Sequence, residues 1–378
     1  MVPPHLPRAL TMPGHKDPRE ALVRAAFRLQ GVSNAIGVEH EAILRTMFDD
    51  IVAQLARIDP TAVGAMSYRR GRVAKLMDEV ERVAGERWTE WHRATRNDMA
   101  RLGRAEALQT RADIVATLGD AGAAAVRMSV PTQNMMKAIL DRNPFNGETL
   151  EGWVKKVQAP ATVRRVRQQI QIGMMGEESI DDMVRRVRGR SIGRGRYTGG
   201  VMGTTTREAR AVVRTAVTDI AAEARIETFR QSPNVVKAVQ WVSALDTLTC
   251  IECGDLDGET WPLGDTGHLI PPAHINCRCS LVPELDWDGL GLEQPEPGVR
   301  AARDADKELA GAPRSTTTTQ VSADTTYSAW FRDQTAAVQN EIMGPGRAKI
   351  FRSGGLRLDQ LIGRDGRLLT LEELERML

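Results

Sequence analysis

Aromatic side chains are scarce in this sequence, at 4% of 378 residues, and cysteine is scarcer, with four in the whole chain. A chain so short of Tyr, Phe and Trp lacks the residues that fill the faces of a β-sandwich, and its plentiful Ala, Arg, Leu, Met and Glu favour helix instead. No run of about 18 apolar residues occurs, so no segment reads as a membrane span. The opening Met1-Val2-Pro3-Pro4-His5 has neither the charged head nor the apolar stretch of a secretory leader, and a cytosolic chain without membrane contact is expected. Neither sign of charge is in excess: the formal net charge is +2, so no global field draws the protein to nucleic acid or lipid, and any basic surface must be local. What remains, 42% hydrophobic and 26% charged residues, is the composition of a folded protein with room for more than one module. No internal repeat is evident.

Helical periodicity dominates the first half. Leu44, Met47, Phe48, Ile51, Leu55 and Ile58 recur at three and four residues, with Pro60 as the stop. A longer stripe follows through Val73, Met77, Val80, Ala84, Trp88, Trp91, Met99 and Leu102, and further helices are predicted over 111–126 and 162–172. The Trp88 and Trp91 pair could stack nucleotides, but a buried packing stripe is the commoner use of that spacing. The acidic start Glu177-Glu178-Ser179-Ile180-Asp181-Asp182 and basic end Arg185-Arg186-Val187-Arg188 match the polarity of a short helix. A Gly- and Arg-rich loop is expected over 189–203, then a helix over 204–229.

The period changes at Asn234. Residues 235–242 read as a strand, and Asp257-Gly258 signals a hairpin turn, with Glu259-Thr260-Trp261 as the short returning strand. Beyond Trp287 the chain is rich in Gly, Pro and Glu and passes through Ser315-Thr316-Thr317-Thr318-Thr319, a flexible linker by composition. Helical patterning returns with Trp330, Phe331, Val338 and Ile342, and Thr370 with Glu373 fits a capping box. The expected fold is α+β and predominantly α. Its parts are a flexible N-terminus (1–18), a helical region (19–160), a helix plus β-hairpin module stapled by zinc (161–287), a linker (288–324) and a helical tail (325–378).

All four cysteines fall within that module. Cys250 and Cys253 have the two-residue gap that delivers two thiolates to one metal, while His274, Cys277 and Cys279 offer three further donors where a tetrahedral zinc needs two. Four thiolates, or three with the His274 imidazole, both satisfy zinc; reduced thiols without metal and disulfides are the other readings, the last disfavoured in a cytosolic chain. Arg278 could neutralise charge between two thiolates. A nucleobase deaminase is excluded, since Thr249 rather than proline precedes Cys250 and no His-x-Glu pair exists. Asp246, Asp255 and Asp257 beside His268 and His274 could compose a hydrolytic site, but turn and capping roles suit these aspartates better.

Arg214-Thr215 on a helix, Trp241, Asp246-x-x-Thr249-Cys250-x-x-Cys253, Asp257-Gly258 and Pro272-x-His274-x-x-Cys277-Arg278-Cys279 occur in one order and spacing. Together they resemble the Mu F-like minor head protein family of tailed bacteriophages, the phage head morphogenesis domain. The resemblance reaches upstream to 176–188. It extends downstream to Gly344-Pro345-Gly346-Arg347, Phe351-Arg352-Ser353-Gly354-Gly355-Leu356 and Leu369-Thr370-Leu371-Glu372-Glu373-Leu374, as in the C-terminal extension of some members. Ala216 departs from the pattern, standing where an acidic residue is expected, which argues against a catalytic or salt-bridging role for its helix. The resemblance implies a minor head or capsid protein of a phage or prophage that is not an enzyme. It would act in procapsid assembly near the portal, with portal, major capsid or scaffold protein as partners, in the host cytoplasm during assembly and then inside the virion head. Contact with packaged double-stranded DNA is also implied, and Arg185, Arg186, Arg188, Arg190, Arg194 and Arg196 are the candidate phosphate ligands. The rival readings are a zinc-dependent nuclease or other hydrolase associated with the head, and an effector or toxin fragment reusing the metal module.

Overall fold

The computed structural model describes residues 18–57, 66–142, 149–176, 178–193, 196–265, 267–313, 316–353, 356–363 and 367–377. The chain is α+β and mostly helical. Helix α1 (Pro18–Ala56) has 39 residues and α2 (Met66–Ala125) has 60. The patterning splits the latter into two helices, but the structure carries one, broken only at Gly119 with φ 66. A glycine takes that left-handed conformation without a Cβ penalty. The expected N-terminal segment before Pro18 and the stop at Pro60 lie outside the described residues. No described helix is long and apolar enough to cross a membrane.

Next come α3 (Gln133–Arg142), α4 (Leu150–Trp153), a π-helical turn (Val154–Gln158) and α5 (Ala159–Met175). Helix α6 (Ile180–Arg188) forms as its charge pattern predicts: Ser179 caps it by accepting the Asp182 N–H at 3.1 Å, with Asp181 and Asp182 in the first turn and three arginines in the last. The expected loop over 189–203 is instead an antiparallel ribbon of β1 (Arg190–Gly193) and β2 (Arg196–Thr198). Gly193, at φ 88, lets the chain reverse there. Helix α7 (Gly200–Arg230) follows.

The described residues divide into two compact units, one of 30–102 and 133–220, the other of 18–29, 103–132 and 221–377. In the first, the stripes read from the sequence are the buried ones: Leu44, Met47, Phe48 and Ile51 on α1, Trp88, Trp91 and Met99 on α2. Trp88 and Trp91 are fully buried edge to face, centroids 5.3 Å apart, and the Trp88 indole donates to Thr162 Oγ1 at 3.2 Å. They are core, not a stacking platform. His40 is buried with both nitrogens bonded, Nε2 to Asp98 at 2.8 Å and Nδ1 to Thr95 at 2.9 Å.

The second unit holds the sheet. Strand β3 (Val236–Val242) leads through α8 (Ile251–Asp255) to β4 (Thr260–Pro262), and β5 (Ser280–Leu285) completes an antiparallel sheet of order β4-β3-β5. The returning strand is where the sequence places it, with Trp261 opposite Val239. Asp257-Gly258 is not a two-residue hairpin turn, however: residues 243–259 separate the strands and include α8. Strand β5 contains Pro283, which an edge strand accepts because one side of it needs no N–H donor. Ile226 and Phe229 of α7 and Ile114 and Leu118 of α2 pack on Val239, Trp241 and Leu281 in one core.

After α9 (Trp287–Leu290), the segment read as a linker is structured. Strand β6 (Val299–Arg303), α10 (Ala305–Leu309) and β7 (Thr318–Ser322) form a hairpin-like ribbon whose threonines suit a strand. Helices α11 (Tyr327–Arg332), α12 (Ala336–Met343), α13 (Pro345–Arg352) and α14 (Leu371–Glu375) surround a second core of Tyr327, Trp330, Phe331, Val338 and Phe351. The capping box at Thr370 and Glu373 is present in both directions.

An ion pair is buried in this unit. Arg225 of α7 donates to Glu106 Oε1 from Nε at 3.0 Å and Nη2 at 2.6 Å, and its Nη1 reaches Ser280 Oγ; Arg28 of α1 holds Glu106 Oε2 at 2.8 Å. Helix α7 thus does carry a salt bridge, although Ala216 itself is buried and apolar. Burial alone would raise the Glu106 carboxyl, but Arg225 and then Arg28 hold it below the usual carboxylate range. A carboxyl lowered in the folded state contributes stability above its unfolded titration range and loses it as pH falls through the folded one. Glu106→Gln should therefore cost about 3–5 kcal/mol in urea unfolding at pH 7, because it leaves Arg225 buried with its charge uncompensated. The gap to wild type should narrow on acidification.

Candidate metal centre

Two tight backbone features present the sulfur and nitrogen donors. Cys250 is the N-cap of α8, its Sγ accepting the Cys253 N–H at 3.4 Å, so one helical turn aims both sulfurs the same way. On the other side the Cys277 N–H bonds the His274 carbonyl at 3.0 Å, with Asn276 left-handed at φ 65. Asparagine tolerates that conformation better than other side chains with a Cβ. The two features meet. His274 Nε2 lies 3.2 Å from both Cys250 Sγ and Cys253 Sγ, and Cys253 Sγ lies 3.9 Å from Cys277 Sγ.

All five predicted ligands therefore come together, as two overlapping groups: Cys250, Cys253 and His274, and Cys253, Cys277 and Cys279. None of the cysteines is in a disulfide. With Zn–S near 2.3 Å, tetrahedral geometry sets sulfurs about 3.8 Å apart, close to the Cys253–Cys277 separation. The donor set, soft sulfur with imidazole, fits zinc. Such a metal would staple a loop-rich region together.

The proton affinities of the cluster are split. Cys250 is brought down to about 7, first by the bond from the Cys253 thiol, then by the Cys253 N–H and nearby His274, against burial. Cys277 is also lowered, by the Cys253 and Cys279 thiols first and by the backbone N–H groups of Cys279 and Ala273. Cys253 and Cys279 are raised, Cys253 by sharing protons with Cys250 and Cys277, Cys279 by its burial.

The aspartates beside the cluster have structural work. Asp246 forms a turn by accepting the Leu248 N–H at 3.0 Å and holds Arg278 between the last two cysteines, with Oδ1 at 2.6 Å from Nη2. Arg278 thus neutralises Asp246. Asp257 is buried and accepts four bonds: from Ser243 N–H and Tyr327 N–H, both at 2.6 Å, and from Arg300 at 2.9 and 3.2 Å. Asp255 is half-buried and its carboxyl is pushed up to about 6 by burial, with Asp359 and Glu259 adding repulsion. His268 stacks on Trp261, centroids 5.4 Å apart. Among the described residues, none of these four belongs to a ligand group.

Sequence reasoning missed Ser243, Arg300 and Tyr327. Ser243 Oγ donates to the Cys253 carbonyl at 2.6 Å, Tyr327 donates its hydroxyl proton to the Thr249 carbonyl at 3.2 Å, and Arg300 locks Asp257. The Tyr327 ring lies against Gly254, inside the Cys250–Asp255 turn, where no Cβ would fit. Arg300 and Tyr327 stand in segments whose local pattern points elsewhere, so only their contacts reveal them.

The candidate arginines are placed differently. Arg185 pairs with Asp182, Arg186 with Glu178, and Arg188 with Asp49 at 2.6 Å while lying over the Tyr197 ring. Arg190 lies on the exposed strand β1. Arg196 begins β2, and Arg194 lies outside the described residues.

A helix-flanked three-stranded sheet with a Cys/His cluster at its loops defines the class of this module. Residues 164–282 match the family described as Phage Mu protein F like protein, and this part of the chain is a Mu F-like domain. No curated protein and no solved structure matches the chain. The site geometry predicts that Gly254→Ala, which drives a methyl into the Tyr327 ring, lowers thermal stability by at least several degrees. Gly264→Ala, with open space around it, should change it by less than about 1 °C.

Proposed function

We propose that the protein is a minor head component of a tailed phage or prophage that acts in procapsid assembly, with zinc as a structural staple of its Mu F-like domain. The observation that carries this reading is the family match over residues 164–282, which encloses all five clustered donors. The donors support a structural metal. They come from two short backbone turns, and two neighbouring carboxylates, Asp246 and Asp257, are taken up by a turn and by Arg278 and Arg300. The long helices offer extended faces for portal, capsid or scaffold partners. Co-expression with the capsid and portal proteins of the same phage genome tests the role: the protein should cosediment with procapsids. A chain that stays at the top of the gradient, or that cuts plasmid DNA in a metal-dependent way abolished by His274→Ala, overturns it.

The zinc is tested separately. Protein made in zinc medium should hold about one equivalent, and a strong chelator should lower its unfolding temperature, because ligands fixed by the metal gain stability only while it is bound. Acidification should release the metal, since protons compete for the same sulfurs and imidazole.

Contact with packaged DNA is a further part of the proposal, and it falls to the β1–β2 ribbon. Arg185, Arg186 and Arg188 already engage carboxylates, whereas Arg190 stands on an exposed strand. Replacing Arg190, Arg194 and Arg196 by Ala should reduce the salt dependence of DNA binding by about 2–3 in log–log slope. An unchanged slope removes the ribbon from the DNA surface.

A further inference from the structure

The cluster supplies five donors where four are needed, and the hydrogen-bond directions around it decide which one is left over. We infer that Cys250, Cys253, His274 and Cys277 hold the metal and that Cys279 stays outside the coordination shell, bonded to Ser243. The inference rests on the metal reading proposed above.

Ser243 fixes the assignment of Cys279. A serine hydroxyl has one hydrogen and two lone pairs. The hydrogen goes to the Cys253 carbonyl at 2.6 Å, and that carbonyl can only accept. One lone pair takes the Trp241 indole N–H at 3.0 Å, and that indole can only donate. The remaining neighbour is Cys279 Sγ at 3.3 Å, which faces the second lone pair. Cys279 is thereby engaged by Ser243, whereas Cys277 Sγ lies 3.9 Å from Cys253 Sγ, close to the sulfur separation of a tetrahedral zinc site. The network is closed on every side: the Ser243 N–H goes to Asp257 at 2.6 Å, and its carbonyl accepts from Arg300.

His274 and Cys277 are oriented the opposite way. His274 Nδ1 sits 2.9 Å from the Ile275 carbonyl, which can only accept, so Nδ1 carries the hydrogen and the lone pair of the neutral ring is on Nε2. Nε2 is the atom 3.2 Å from both Cys250 and Cys253. A second-shell carbonyl that fixes the tautomer is the usual arrangement of a ligating histidine. Cys250 receives the Cys253 N–H at 3.4 Å, and Cys277 receives the N–H groups of Cys279 and Ala273, donors suited to thiolates. Ser243 and Cys279 then form an outer layer that steadies the Cys253 end of the turn.

X-ray absorption at the zinc edge of the wild-type full chain should show three sulfurs and one nitrogen. A shell of four sulfurs overturns the inference while leaving the metal reading intact, whereas a chain that binds no zinc at all removes that reading itself. Variants provide an independent arm through metal competition and the thiolate charge-transfer band of the cobalt-loaded protein. Cys279→Ala should keep the full band and lose less than about tenfold in affinity. Cys277→Ala should lose about a third of the band, and it and His274→Ala should each lose more than the roughly 10–100-fold that outer-shell changes cost. Loss of metal in Cys279→Ala with retention in Cys277→Ala overturns the assignment. If Cys277→Ala does not fold, the absorption spectrum of the wild type still decides.

Discussion

The Asp257 carboxylate is the constraint on which the Cys/His module depends. It is buried, and its four bonds come from parts of the chain far apart in sequence: Ser243 at the end of β3, Arg300 in β6 and Tyr327 at the start of α11. A buried carboxylate is tolerated only when both oxygens are satisfied and its charge is matched, and Arg300 supplies the match. Because the bonded Ser243 in turn holds the Cys253 carbonyl and faces Cys279, the positions of the sulfurs follow from a carboxylate that touches none of them.

This makes the C-terminal region part of the module and not an appendage. Residues beyond 295 deliver the arginine that compensates Asp257 and the tyrosine that fills the space beside Gly254. The apolar core around Tyr327, Trp330 and Phe331 reaches Ile251 within the first cysteine turn. Arg225 links α7 to Ser280, the residue after Cys279, and is neutralised by Glu106 of α2. The donor cluster is thus braced by two buried ion pairs, each closed through a serine that neighbours the site. In a chain with few aromatics, such polar braces do work that a larger apolar core does elsewhere.

Much of this was legible residue by residue. The stripe of Leu44, Met47, Phe48 and Ile51, the Trp88 and Trp91 pair, the capped helix after Ser179, strand β3 and the Thr370 capping box are all local patterns, and all are present. The errors have a common cause. The Arg- and Gly-rich ribbon at 190–198 and the threonine-rich β7 form strands because each finds a partner strand, which local composition does not encode. Asp257-Gly258 has the residues of a turn, yet the aspartate is drawn inward by Arg300, 43 residues away in sequence.

The sequence by itself determined the helical character of the chain, the identity of five possible metal donors and the family pattern that contains them, because these depend on residue type and short spacing. The tertiary structure decided which groups meet: that Cys253 is shared by both donor groups, that Arg185, Arg186 and Arg188 are engaged by carboxylates, and that Ser243, Arg300 and Tyr327 brace the site. Hydrogen bonds have direction, and that direction is set by neighbours distant in sequence. A spacing of cysteines can nominate ligands, but contacts between residues distant in sequence decide which donors meet.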